Sequence, residues 1–107
     1  MLKENNLPPV HPGEILREDV LPELGLSVTK AAEVLGISRQ MLHGILNGKR
    51  SLSAEMCLKI ARLAGGTPEL WMRMQAMHDM KKASGNKKIM ERVRRVPSLR
   101  DETHTTA

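Results

Sequence analysis

Aromatic residues are almost missing from this chain: it holds no Phe, no Tyr and a single Trp, Trp71. Surfaces that bind RNA or single strands usually stack bases on aromatic rings, so the composition speaks against such a partner. Cysteine is nearly absent as well. Cys57 stands alone, which excludes an intrachain disulfide, and no Cys or His lies near it at a zinc-ligand spacing. The four histidines, His11, His43, His78 and His104, are scattered, with no i, i+4 pair to suggest a metal site. Neither a metal nor a cofactor is expected. No apolar run approaches the roughly 18 residues that span a bilayer. The first residues, Met1-Leu2-Lys3-Glu4-Asn5-Asn6, lack the apolar stretch of a secretory signal. The expectation is a cytoplasmic protein without a membrane partner.

What is present fits one small helical domain. The 107 residues suffice for one core with loose ends, and 40% apolar with 27% charged residues is ordinary for a globular chain. With neither disulfide nor zinc, hydrophobic packing must hold the fold. The formal charge is +5, but its location matters more than its size. Residues 1–80 carry nine basic and nine acidic side chains, whereas residues 81–107 carry eight basic and three acidic. The excess therefore belongs to the tail. Within the domain, Glu14, Glu18, Asp19 and Glu23 crowd one segment, while the interval between Glu33 and Glu55 contains no acid and holds Arg39, His43, Lys49 and Arg50.

Residues 1–10, with Pro8-Pro9, have no helical period and read as an extended arm. His11-Pro12-Gly13-Glu14 opens a first helix, expected over about residues 13–22 because Pro suits the first turn, acids favour the positive end, and Pro22 should stop it near Leu21. Leu16, Val20 and Leu24 form its apolar face. Ser27 caps a second helix, Val28 to Leu35, which Gly36 ends. Ser38 caps a third, with Leu42, Ile45 and Leu46 inward, closed by Asn47-Gly48. Ser53 caps a fourth, where Met56, Cys57, Ile60, Ala61, Leu63 and Ala64 face the core up to Gly65-Gly66. Thr67-Pro68-Glu69 opens a fifth, running to about Ala83, with Leu70, Met74 and Met77 on one side and Trp71 and His78 beside them. Residues 11–83 thus form the domain. Residues 84–107 read as a basic tail with a disordered end, although Ile89, Val93 and Val96 keep a weak helical period before Pro97.

The second and third helices carry the functional signal. Small Ala32 permits close approach, Gly36 accepts the positive φ of a tight turn, and Ala31, Leu35, Ile37, Leu42 and Ile45 supply the buried inner surface. That pattern is fuller than a generic helical hairpin requires. The stretch Ser27-Val28-Thr29-Lys30-Ala31-Ala32-Glu33-Val34-Leu35-Gly36-Ile37-Ser38-Arg39-Gln40 resembles the Cro/repressor-type helix-turn-helix. Three motifs narrow the likeness: His11-Pro12-Gly13-Glu14-Ile15-Leu16, Leu46-Asn47-Gly48-Lys49-Arg50 and Thr67-Pro68-Glu69-Leu70-Trp71 together resemble HigA-type antitoxins, a subgroup also called virulence-associated protein I. The resemblance covers roughly residues 10–83. It implies an all-α, five-helix, Cro/repressor-like domain and a homodimeric repressor of its own operator that neutralises a HigB-type toxin, an endoribonuclease acting on messenger RNA. Composition and periodicity say nothing about a toxin.

In double-stranded operator DNA the third helix would enter the major groove. With Leu42, Ile45 and Leu46 inward, Gln40, Gly44 and Asn47 face outward, flanked by His43 and Met41. Gln40 suits adenine N6 and N7, Arg39 favours guanine, and Ser38 suits a phosphate or a base. Lys49 and Arg50, just past the helix, suit phosphates. Gly44 costs a helix interior about 1 kcal/mol relative to Ala, and two readings of it stand: close approach of DNA, or simple tolerance. A good bidentate base contact discriminates by about 1–3 kcal/mol, whereas specific and non-specific sites differ by about 4–10 kcal/mol, so two copies of the helix are expected. The expected pairing surface is the fifth helix, through Trp71, Met74, Met77 and His78, with Met72 and Met80 adding apolar area. An enzyme is not expected. Cys57 faces the core, which favours an inert thiol, and His11 with Glu14 reads as helix-start packing rather than an acid–base pair. The rival reading is a regulator or interaction module with no toxin. For the tail, DNA affinity, an acidic partner and simple solvation all stay open.

Overall fold

Most of the described residues are helical, and each of their six helices starts on a side-chain cap that the sequence places there. The structure is a computed structural model and describes residues 10–100; the arm before Val10 and the end of the tail lie outside the described residues. Helix α1 consists of three consecutive segments, Pro12–Ile15, a π-helical turn Leu16–Val20, and Leu21–Leu24. It is followed by α2 (Val28–Leu35), α3 (Arg39–Leu46), α4 (Ala54–Ala64), α5 (Pro68–Ser84) and α6 (Lys87–Arg94). No strand occurs among the described residues. Ser27, Ser38, Ser53 and Thr67 each accept a hydrogen bond from the backbone N–H three residues on, at 3.0–3.1 Å. Such a cap contributes about 1 kcal/mol. Asn86 does the same for α6, accepting from Ile89 N–H at 3.0 Å.

Pro22 does not end the first helix where the sequence led us to expect. A proline normally clashes with the carbonyl four residues back, and the π turn immediately before it takes up one extra residue and shifts that carbonyl away. The inserted residue also rotates the apolar face. Leu16 is followed on the core side by Leu21, 5% exposed, while Leu24 is 46% exposed despite its four-residue spacing from Val20.

The core is one cluster joining Leu16 and Leu21 of α1, Ala31, Ala32 and Leu35 of α2, Leu42, Ile45 and Leu46 of α3, Leu52 of the following loop, Met56, Cys57 and Ile60 of α4, and Trp71 of α5. Full burial of a Leu, Ile or Met side chain contributes about 1.5–3 kcal/mol. On α5 the expected pairing residue Trp71 belongs to the core instead. Trp71 and Gln75 are buried and Met74 is partly so, but Leu70 and Met77 face outward. Apolar residues surround α5 on several sides, so its periodicity selects no face. Gln75 is buried because it has work for both ends of its amide: it accepts from Leu52 N–H at 2.9 Å and donates to Asp79 at 3.0 Å. The Trp71 indole N–H donates to the Gly65 carbonyl at 3.0 Å.

Beyond the five expected helices, the basic tail contributes a sixth, α6. Helix α6 contacts α5, with Ile89 and Met90 half-buried and Val93 exposed. No described helix is long and apolar enough to cross a membrane.

Candidate nucleic-acid interface

Helices α2 and α3 meet at a tight turn made by Gly36, Ile37 and Ser38. Gly36 has φ 71°, a left-handed conformation that disfavours any β-carbon, and the Ile37 N–H returns to the Ala32 carbonyl at 3.0 Å. Ala31 and Ala32 have essentially no exposed surface. The two helices therefore pack closely and present the opposite side of α3 to solvent.

Helix α1 braces α3 from behind, which the sequence reading missed. A β-carbon on Gly13 would overlap the carbonyl of Ile45, so the two backbones touch directly. Arg17 donates from its guanidinium to the Leu46 carbonyl at 3.1 Å, supplying a cation at the negative end of α3. His11 caps α1, accepting from the Gly13 N–H at 2.9 Å through Nδ1, and its ring lies against Gly48 at the exit of α3. A glycine inside a helix start, where no positive φ is needed, was the available signal for this contact.

A bond accepted at Nδ1 requires a neutral His11 ring. Burial lowers the His11 pKa from its ordinary value and His78 lowers it further, while the Arg50 backbone and the Asp79 carboxylate act in the opposite direction and Lys82 lowers it again. His78 stands edge-on to His11, with ring centroids 5.0 Å apart. Helix-start packing, not acid–base chemistry, is the role this geometry supports. Cys57 is 1% exposed and burial raises its pKa, which leaves an inert thiol.

The outward side of α3 brings together most of the residues the sequence pointed to. Ser38, Arg39, Gln40, His43 and Asn47 are exposed, as are Lys49 and Arg50 in the loop that follows. Ser38 accepts the α3 cap bond with its oxygen, so its hydroxyl proton stays available to donate. Among the described residues, none of Arg39, Lys49 and Arg50 is held in an ion pair, whereas Lys30 and Lys59 pair with Glu33 and Glu55 on their own helices. Met41 departs from its expected place. It is half-buried and packs against the core, because it lies at the boundary between the inner and outer sides of α3.

Gly44 also differs from expectation. The space above it is filled by the chain itself: a β-carbon there would fall 2.8 Å from Arg50 Cδ and 2.9 Å from Arg50 Cγ. The close neighbour at Gly44 is thus the Arg50 side chain. Of the residues expected on a pairing surface, Trp71 is buried in the core, and Met74 and His78 are half-buried. Met77 is 41% exposed and lines a shallow groove with Arg73, Ala76, Met80, Lys81 and Ser84.

Comparison with known proteins agrees with this architecture. The family model described as helix-turn-helix matches residues 16–71, from within α1 to the start of α5. Virulence-associated protein I of Dichelobacter nodosus is 37% identical over 84 residues, spanning 78% of each chain. Among solved structures, an addiction module antidote protein of a HigA family from Coxiella burnetii is 35% identical, with a TM-score of 0.73 over 87% of this chain and 100% of that one. Antitoxin GraA in complex with its operator is 34% identical, with a TM-score of 0.75 over 92% of this chain and 98% of that one. The chain therefore belongs to the helix-turn-helix family of DNA-binding regulators, which are not enzymes, and within it to the group of HigA-type antitoxins and virulence-associated protein I.

Proposed function

We propose that this protein is the antitoxin of a type II toxin–antitoxin pair: a homodimer that represses its own operon through α3 and neutralises a HigB-type toxin. The observation that carries the DNA-reading part is the outward side of α3, where Ser38, Arg39, Gln40, His43 and Asn47 stand exposed beside unpaired Lys49 and Arg50, while α1 fixes the helix from behind. Gln40 near the N-terminus of α3 suits adenine, and Lys49 suits a phosphate. Two copies follow from magnitudes. A single short helix making two or three base contacts falls at or below the roughly 4–10 kcal/mol that specific binding needs over non-specific binding. The exposed Met77 and Met80 on α5 are the surface we assign to pairing, in place of buried Trp71. Support for the antitoxin role comes from the HigA-family antidote and from GraA, which its structure holds on its operator.

The test combines the full-length chain with the product of the adjacent gene and with duplex DNA from upstream of its own gene. Copurification with a small basic protein, together with a gel shift saturating at two copies per operator site, is the expected result. A shift without any toxin partner would leave an orphan repressor. No shift on any upstream duplex would overturn the DNA-reading function itself.

A further inference from the structure

The backbone after α3 folds back on Gly44. The N–H groups of Lys49 and Arg50 both donate to the Gly44 carbonyl, at 2.8 and 3.0 Å, so the loop is pinned to the last turn of the helix. The Arg50 side chain then runs over Gly44, with Cγ, Cδ and Nε at 2.9, 2.8 and 3.1 Å from where a β-carbon would stand. At about 100° per residue, position 44 lies one turn beyond Gln40 on the side opposite Leu42, Ile45 and Leu46. Arg50 thus takes the place of a residue-44 side chain on the outward side, between Gln40 and Asn47. Among the described residues no hydrogen bond or ion pair engages its guanidinium, and the residue is exposed.

We infer that Arg50 is a specificity-determining residue, delivered by the loop across Gly44 to read a guanine in the major groove rather than to grip a phosphate. This inference rests on α3 being the DNA-reading helix. A residue flanking a recognition helix ordinarily reaches the backbone of the duplex, which carries no sequence information. Arg50 instead lies on the part of α3 that would face the groove floor, and its planar fork of donors matches the O6 and N7 acceptors of guanine. Gly44 has a definite part in this: any side chain there would displace Arg50.

The experiment is selection of bound sequences from a random duplex pool by the full-length protein, with Arg50→Ala, Arg50→Lys, Gly44→Ala and Lys49→Ala compared against the original. The expected result is that both Arg50 variants lose preference for guanine at one position of each half-site by about tenfold or more, with the other positions unchanged. Gly44→Ala loses preference at the same position while melting no lower than the original protein, since Ala favours a helix interior over Gly. Lys49→Ala leaves every preference intact. Should Arg50→Ala weaken all sequences alike and keep the selected motif, Arg50 is a phosphate contact and the inference fails alone. Should the original protein select no motif at all, the DNA-reading function fails with it.

Discussion

Gly13 of α1 and Ile45 of α3 meet backbone to backbone, with no room for a β-carbon between them. The contact sets how far α3 stands out from the domain, and Arg17 on the Leu46 carbonyl fixes the same end of the helix. Gly13→Ala must push α1 away from α3. We expect a loss of about 1–3 kcal/mol in urea denaturation, as for other overpacked sites, together with weaker operator binding. Gly85→Ala is the contrast: φ is −90° and the nearest atom to an added β-carbon is 3.4 Å away, so the change should be neutral or stabilising by up to about 1 kcal/mol. Equal behaviour of the two variants would contradict the close contact at Gly13.

His11 links stability to pH. Its cap bond from Gly13 N–H and its burial favour the neutral ring, so the folded pKa lies below the ordinary value of 6.5 that the unfolded chain retains. Below that value the unfolded state binds a proton that the folded state resists, and stability falls as the pH drops. Above about pH 7 the contribution is constant. His11→Asn keeps a capping oxygen but cannot titrate in this range. Urea denaturation of both proteins between pH 5 and 8 should show a steeper loss toward acid in the original, and identical slopes would disprove the link.

What was legible in the sequence, and what was not, separates along the range of the interactions. Ser27, Ser38, Ser53 and Thr67 act within one helical turn, and Gly36 acts within one turn of backbone, so residue identity alone located four helices and the bend between α2 and α3. Leu24 and Trp71 were misplaced because a face depends on more than local spacing: one π turn rotates α1, and a helix apolar on several sides has no preferred inner edge. Gln75 was missed because a buried amide is stable only through partners on other elements, here the Leu52 backbone. Arg50 is the same kind of case, since six residues of chain must fold back before it lies over Gly44.

Gln75 offers a direct test of buried polar satisfaction. Gln75→Leu keeps the volume but removes the acceptor for the Leu52 N–H, leaving a buried donor unpaired, which costs about 1–3 kcal/mol. Gln75→Glu keeps an acceptor at that place but sets a second carboxylate against Asp79, so its loss should be larger at pH 8 than at pH 4. Chemical denaturation at pH 4 and pH 8 separates the two effects.

Trp71 is the chain's single tryptophan and is 5% exposed, so native fluorescence reports on the core. Trp71→Phe retains much of the packing but loses the bond to the Gly65 carbonyl, about 0.5–1.5 kcal/mol. Trp71→Ala should cost about 3–5 kcal/mol. If Trp71 served pairing instead, both variants would shift the oligomeric state in size-exclusion chromatography before they altered unfolding of the protomer.

Gln40 and Lys49 should separate reading from gripping. Both are exposed, but Gln40 sits in the first turn of α3 on its outward side, whereas Lys49 lies past its end. Gln40→Ala should remove about 1–3 kcal/mol of discrimination at one base pair of each half-site and leave binding to unrelated duplexes unchanged. Lys49→Ala should weaken every sequence by the same factor and reduce the dependence of log affinity on log salt by about one for each half-site. Titrations at several salt concentrations against an operator and a scrambled duplex distinguish them. A uniform loss from Gln40→Ala would remove it from base reading and leave Arg39 and Arg50 as the side chains on which specificity depends.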